Sequence, residues 1–349
     1  MPTTDHDRAT RRDQPRRTPG EGRSGHEGGC QVIVALAGGV GGAKLAQGLM
    51  AAPGAGDLTV VVNTADDFDL FGLRICPDID TVLYTLGGIA NPETGWGIAG
   101  DTFATLDALA GLGRDPWFRL GDRDFATHIH RTERLREGAS LTTVTAELAT
   151  ALGIVATVLP MTDDRVATVV ETPAGALPFQ DYFVRRRQAD DVLGVTFEGI
   201  ERARPTAGVE AALAGAGLVV FCPSNPIVSI GPILALPGAR DALAASPAPV
   251  VAVSPIVGGR ALKGPADRML ATLGSEVSPL GVARLYAGLI DGMVLDDQDA
   301  DKAAAIEAEL GIATLVTGTV MGGFESRRAL ATRVIQFGRS LVPVGSGRT

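Results

Sequence analysis

The run VIVALAGGVGG at Val32–Gly42 constrains this chain most. Val32 to Ala37 is continuously apolar rather than alternating, the mark of a strand buried on both faces of a parallel sheet. It ends at Gly38-Gly39-Val40-Gly41-Gly42, four glycines in five positions. Such a turn bends sharply and lets backbone N–H groups approach a ligand, and a helix expected over Ala43 to Met50 points its positive end at the same place. The expectation is an anion cradle, most simply for a phosphate, although a glycine-rich turn with no ligand would read the same way. Neither common fingerprint fits. A P-loop needs Gly at Ala43 and Ser or Thr at Leu45, and the dinucleotide pattern needs Gly at Lys44.

A second strand, Leu58 to Asn63, ends at Thr64-Ala65-Asp66-Asp67-Phe68-Asp69. Ligands of open α/β sheets sit beyond the carboxyl ends of the strands, so these carboxylates are expected beside the glycine loop. Asp78 and Asp80 follow in PDIDT, where Asp80 or Thr81 can also cap a helix Thr81 to Leu86. Carboxylates crowded on a phosphate site repel the ligand unless a cation intervenes, and Mg²⁺ suits one or two carboxylates plus phosphate oxygens. Taken singly, Asp67, Asp69 and Asp78 are equally well read as caps of turns or helices.

Further along, Asn91 to Thr102 reads as a loop with Trp96 exposed, and three helices follow at Phe103–Leu112, Asp122–Glu137 and Leu141–Leu152. With no strand between them they form a helical insertion, about residues 101–157. His128 and His130, two apart, fall on different faces and make no metal pair. Arg123 can meet a phosphate or carboxylate, whereas Asp122 and Asp124 suit a helix start. Ile154–Leu159 and Val166–Glu171 are expected to pair as a hairpin across Thr162–Arg165, and FQDYFVRRR reads as a strand with a basic end. Helix Gly208–Ala216, strand Leu218–Cys222 and the loop Pro223-Ser224-Asn225-Pro226 restore the parallel pattern. Strand Val250–Val253 leads into a basic loop with Ser254, Gly258, Gly259, Arg260 and Lys263. Short strands Gly292–Leu295 and Ala313–Val316 and a closing helix Arg327–Leu341 complete a doubly wound, mostly parallel, Rossmann-like α/β sheet.

The 349 residues carry a net charge of −9, which argues against nucleic-acid and membrane-surface partners. Cys30, Cys76 and Cys222 form no paired motif, so a reducing cytoplasm is the expected compartment. Met1 to Gly29 has six arginines and no apolar stretch; it reads as a disordered tail or an over-long start, not a secretory signal. Residues 30–349 are taken as one nucleotide-binding catalytic domain.

The segments LAGGVGGAK, NTADD, GLRICPDIDTVLYTLGG, WFRLGDRDFATHIHRT, LPMTDDRVAT, FQDYFV, PSNPIVSIGPIL and SPIVGGRALKGPA resemble the 2-phospho-L-lactate transferases of deazaflavin coenzyme F(420) biosynthesis, including the actinobacterial phosphoenolpyruvate-using members. The resemblance implies transfer of a phospholactyl or phosphoenolpyruvyl group from a guanosine-diphosphate-linked donor, made by a partner guanylyltransferase, to the ribityl hydroxyl of the deazaflavin Fo, releasing GMP. Mg²⁺ on Asp66 and Asp80 would bridge the diphosphate; the oligomeric state is open, a homodimer being a common outcome for such folds. The glycine loop (Gly38, Gly39, Val40, Gly41, Gly42), Thr64, Ser224, Asn225, Ser254, Gly258, Gly259, Arg260 and Lys263 would hold the donor. Lys44 would add charge, Asp66 would sit at the Fo or metal site, and Asp67 would take the hydroxyl proton; no covalent nucleophile is required. Many relatives carry Lys or Arg where this chain has Ala99, so Arg123 or Lys263 is expected to substitute. The competing reading is a sugar-nucleotide-binding regulatory protein of the gluconeogenesis-factor type, which shares the glycine loop and the acidic segment but turns nothing over. A dinucleotide-dependent oxidoreductase is disfavoured by the missing G-x-G-x-x-G. Which three-carbon acid is carried is not legible, because small pocket changes decide it.

Overall fold

The apolar run that opens the chain does form a strand covered on both faces. The computed structural model describes residues 32–341, so the N-terminal segment and Cys30 lie outside the described residues. In chain order the first half comprises β1 (Val32–Ala37), α1 (Gly39–Ala51), β2 (Leu58–Val62), β3 (Phe68–Leu70), β4 (Leu73–Ile75), α2 (Pro77–Leu86), α3 (Ala104–Gly111), α4 (Asp122–Arg136), α5 (Leu141–Ala151) and β5 (Thr157–Pro160). Then come β6 (Ala167–Thr172), β7 (Gly175–Pro178), a π-helical turn (Asp181–Arg185), β8 (Gly194–Glu198), α6 (Ala207–Ala214), β9 (Ala216–Phe221), α7 (Ile230–Ala235), α8 (Ala239–Ala245) and β10 (Val250–Val253). The chain ends with β11 (Ile256–Val257), β12 (Arg260–Ala261), α9 (Ala266–Thr272), α10 (Pro279–Leu285), β13 (Gly292–Leu295), a 3₁₀ turn (Asp297–Lys302), α11 (Ala303–Leu310), β14 (Ala313–Val316) and α12 (Phe324–Ser340).

Seven strands pair in the order β14-β13-β10-β9-β1-β2-β5, all parallel. The period-two alternation of β1 feeds two cores. Ile33, Ala35 and Ala37 pack on the face covered by α1, α2 and α12, while Val34 and Leu36 face α6 to α8. The chain winds outward from β1 to β2 and β5, then returns to β9 on the other side of β1 and winds away to β14. The order therefore reverses between β1 and β9, and in open α/β sheets the crevice at such a reversal, beyond the strand carboxyl ends, is where ligands bind. The glycine loop follows β1 and PSNP follows β9, so both stand at that crevice.

Four sequence expectations are corrected. Helix α1 begins at Gly39, not Ala43, because the glycines themselves form its first turn. Helix α2 begins at Pro77, not Thr81; proline suits the first helical position, where its missing N–H is not needed, and neither Asp80 nor Thr81 caps it. The hairpin does not form. Val158 and Leu159 are buried and find two-faced cover only by running β5 parallel to β2, while β6 pairs antiparallel with β7 and β8 in a separate sheet. The intended turn residues are engaged elsewhere: Asp163 accepts from the N–H and hydroxyl of Thr142, and Asp164 from the N–H of Arg204. FQDYFV is a π-turn rather than a strand. Phe179 and Phe183 stack with ring centres 5.4 Å apart, whereas four residues along a strand would separate them by about 13 Å. The three consecutive insertion helices are present as α3, α4 and α5.

Candidate functional site

A cavity of about 620 Å³ opens at the carboxyl ends of β1, β2 and β9. One wall is the first turn of α1. Its N–H groups have no helical partners, and they point with the positive helix end into the crevice. Glycine is required here by close approach: a Cβ on Gly41 would lie 2.2 Å from the Pro223 carbonyl, and one on Gly38 would lie 2.5 Å from the Asp78 carboxylate. Gly42 is needed for the same kind of contact, against the Ser224 hydroxyl, rather than for a ligand. Ser224 locks β9 to β1 by accepting from Gly38 N–H at 3.1 Å and donating to the Gly38 carbonyl at 2.8 Å.

The second wall is acidic. Asp78, in the first turn of α2, accepts from Gly39 N–H at 2.8 Å and from Asn63 Nδ2 at 2.9 Å. Burial pushes its carboxyl up to about 6 in spite of those two donors. Burial holds Asp66 well above the usual carboxylate range, and the charge of Asp78 pushes the same way. Asp66 Oδ1 is buried with no hydrogen-bond partner among the described residues.

Behind this wall lies a paired set. Arg131, fully buried, grips both oxygens of Asp80, one at 3.1 Å. The Tyr84 hydroxyl donates to Asp124 Oδ1 at 2.6 Å, and His128 Nε2 stands 3.2 Å from the same oxygen. His128 is buried and His130 half-buried, on different faces as their spacing implied. The third wall is aromatic: Trp117 and Phe118 meet edge to face at 5.6 Å, and Phe183 of the π-turn stacks on Phe179 just before it.

Of the residues given a donor, catalytic or metal role in the sequence, Gly38, Gly39, Val40, Gly41, Asp66, Asp80, Ser224, Asn225 and Lys263 line this one cavity. The others do not. Lys44 turns its ammonium to the Met321 carbonyl at 3.3 Å, and burial lowers its pKa. Asp67 is held 3.5 Å from Arg74, with burial raising its carboxyl to about 7. Thr64 is buried and does not line the cavity. Arg123 donates to the Ala99 carbonyl and does not line the cavity. Ser254 donates to the Ile256 carbonyl within its own loop, Gly258 N–H is taken by Asp299, and Gly259 and Arg260 are exposed beyond the wall.

Asp80, the expected metal ligand, already has its charge neutralised by the Arg131 guanidinium on both oxygens, whereas the donors on Asp78, the Gly39 N–H and the Asn63 amide, are neutral. The pair that fits a cation is Asp66 with Asp78: two buried carboxylates, one oxygen without a partner, and a helix N-terminus for the counter-anion. Among the described residues no group of three or more His, Cys, Asp or Glu side chains is arranged for a metal. An ion here would therefore complete its shell with ligand oxygens and water, the regime Mg²⁺ favours. Asn63 and the aromatic wall were missed, and Asp78, weighed only as one of the crowded carboxylates or as a cap, was given no ligand role. The signal for Asp78 was Pro77, whose place at the first helical position brings Asp78 to the helix end nearest the glycines.

A family model described as 2-phospho-L-lactate transferase CofD matches residues 33–328. A phosphoenolpyruvate transferase of Streptomyces griseus is 46% identical over 87% of this chain and 97% of its own length. One from Streptomyces coelicolor is 48% identical over 79% and 88%. A 2-phospho-L-lactate transferase of Methanosarcina mazei is 41% identical over 87% and 99%. Among solved structures, a UPF0052 family protein of Bacillus halodurans superposes with a TM-score of 0.57 at 15% identity, covering 87% of this chain and 98% of that one, which shows the shared fold. With the match running across the switch-point crevice and all three of its walls, the chain belongs to the CofD family of 2-phospho-L-lactate transferases.

Proposed function

We propose that the protein transfers a phosphoenolpyruvyl or 2-phospholactyl group from a guanosine-diphosphate-linked donor to the terminal ribityl hydroxyl of the deazaflavin Fo. The hydroxyl oxygen forms a bond to the phosphorus bearing the three-carbon acid, the bond from that phosphorus to the α-phosphate oxygen breaks, and GMP leaves. The observation that carries this reading is the buried Asp66–Asp78 pair set against the first turn of α1, an arrangement suited to a cation and a diphosphate together.

Each wall supplies one requirement. N–H groups of the α1 first turn beyond that of Gly39, which Asp78 takes, would bind phosphate oxygens, and Lys263 would add positive charge. Asp66 and Asp78 would hold Mg²⁺, which when bound neutralises the diphosphate and the charge that develops on the transferring phosphoryl oxygens. The rings of Trp117, Phe118, Phe179 and Phe183 offer stacking faces to a flat tricyclic acceptor. Asp66, which lines the cavity, would take the hydroxyl proton, a role less suited to Asp67, which is held beside Arg74 and does not line it. The remaining gain comes from alignment of hydroxyl and phosphorus in a walled cavity.

The test is mass spectrometry of reactions holding the protein, Fo, Mg²⁺, GTP and a guanylyltransferase, with phosphoenolpyruvate, 2-phospholactate or phosphoglycerate in separate tubes. A phosphodiester adduct of Fo with GMP release is expected in one of the first two. Guanosine nucleotide binding without an adduct in any tube would replace this reading by a regulatory binding protein.

A further inference from the structure

Three Lys or Arg side chains line the cavity: Arg119, Arg187 and Lys263. Two are committed. The Arg119 guanidinium lies 4.0 Å from the centre of the Phe103 ring, and Lys263 Nζ donates to the Thr94 carbonyl at 2.6 Å. Arg187 has no hydrogen-bond, ion-pair or ring partner among the described residues. Its neighbours differ: Arg185 pairs with Asp115 and Asp181, and Arg186 with Asp190 at 2.6 Å. In a chain with excess carboxylates, one arginine of three in a row is left open, and it is the one in the cavity wall.

The backbone is bent to put it there. Arg187 and Gln188 have φ of +52° and +58°, consecutive side-chain-bearing residues in the left-handed region where glycine is the usual occupant. Arg186 N–H to the Asp181 carbonyl at 2.8 Å, Gln188 N–H to the Tyr182 carbonyl at 2.9 Å, and Arg268 on the Gln188 carbonyl hold that shape. At its other end the segment is tied to the acidic wall, where Gln180 Nε2 donates to the Asp66 carbonyl at 3.4 Å. Strained backbone of this kind persists where the surroundings over-determine it, and it gathers at ligand sites. Glycine would relieve the strain but would give up the guanidinium.

We propose that Arg187 is the specificity residue for the donor's acid end, its guanidinium taking the carboxylate of the three-carbon acid in a two-point ion pair. This rests on the transfer reading above, in which the acid rides on the phosphorus that moves. Enolpyruvate and lactate share a carboxylate beside the ester oxygen, and a planar fork of N–H donors matches a carboxylate in geometry as well as charge. The α1 turn reads the diphosphate; Arg187 reads what hangs from it.

The experiment compares affinity for GDP and for the guanosine-diphosphate-linked enolpyruvate, by calorimetry with Mg²⁺, in wild type, Arg187→Gly and Arg187→Lys. GDP affinity is expected to stay within about twofold in all three. The donor's advantage over GDP should fall at least tenfold in Arg187→Gly and partly in Arg187→Lys, which keeps charge but not the fork. An unchanged advantage in Arg187→Gly, or no advantage in wild type, overturns the inference. If Arg187→Gly loses GDP as well, Arg187→Lys decides by the same ratio. Formation of the Fo adduct is scored separately, so a donor advantage that tracks Arg187 without any adduct would sink the transfer reading and leave the carboxylate site standing.

Discussion

Asp78 Oδ1 accepts the N–H of Gly39 at 2.8 Å, joining the first turn of α2 to the first turn of α1. The carboxylate that fits the cation also fixes the helix end that fits the phosphate. Asp78→Ala should therefore lower turnover by at least about a hundredfold, comparable with losing an electrostatic group at a reacting centre, while leaving the circular dichroism spectrum unchanged. Asp80→Ala should behave differently. It strands the buried Arg131 guanidinium, a loss of about 3–5 kcal/mol. Denaturant unfolding of the two variants separates them, and a stable but inactive Asp80→Ala would restore Asp80 to the metal site.

Cation binding at Asp66 and Asp78 should depend on pH with a defined sign. Both carboxyls are raised by burial, Asp78 to about 6, so the folded protein keeps protons there that the unfolded chain has released. This contribution to stability is present below the unfolded-state pKa of about 4 and is lost as pH rises through the folded value. A cation that binds the ionised pair reverses the loss. In thermal melts at pH 7.5, saturating Mg²⁺ should raise Tm by several degrees, and at pH 5 the shift should nearly vanish. An equal shift at both pH values would place the ion elsewhere.

The sheet was legible because buried parallel strands are continuous apolar runs, and the position of the crevice followed from what came after each strand. Pairing was less so. Nothing local in Ile154–Leu159 reveals that its partner is β2, almost a hundred residues earlier, since register is set by which faces the whole fold covers. The site was half legible for the same reason. Gly41 and Ser224 stand at strand ends and could be placed, whereas Asp78 and Asp80, two residues apart on one helix, both reach the cavity wall but take different partners, the Gly39 N–H and, from α4, Arg131, which only the packed structure supplies. Lys44 and Arg123 had the right charge and the wrong direction.

Gly41 and Gly48 offer a controlled comparison within α1. A Cβ at Gly41 would meet the Pro223 carbonyl at 2.2 Å, and one at Gly48 would meet the Arg327 carbonyl at 2.3 Å. Both alanine variants should lose about 1–3 kcal/mol, the usual range for overpacking. Their function should diverge. Gly48 sits where α1 packs on α12, away from the crevice, so Gly48→Ala should keep its specific activity below its lowered Tm. Gly41→Ala displaces the loop bearing Ser224 and Asn225 and should weaken guanosine diphosphate binding by about tenfold or more. Equal nucleotide affinity in the two variants would show that the α1 turn is not the phosphate cradle.

Lys263 and Lys44 test the placement of positive charge. Lys263 lines the cavity and donates to the Thr94 carbonyl at 2.6 Å, tying the loop that carries Trp96 over the glycines. Lys44 is aimed at Met321, and burial together with the charges of Arg327 and Lys263 lowers its pKa, so removing its charge relieves repulsion as it breaks one hydrogen bond. Lys263→Gln should weaken nucleotide binding by about tenfold, because a charge-assisted contact in the site is worth about 1.5–3 kcal/mol. Lys44→Gln should change it by less than about threefold and leave turnover near wild type. Titration of guanosine diphosphate against both variants checks this, and a larger loss in Lys44→Gln would mean that Lys44 turns from Met321 into the cavity when nucleotide binds.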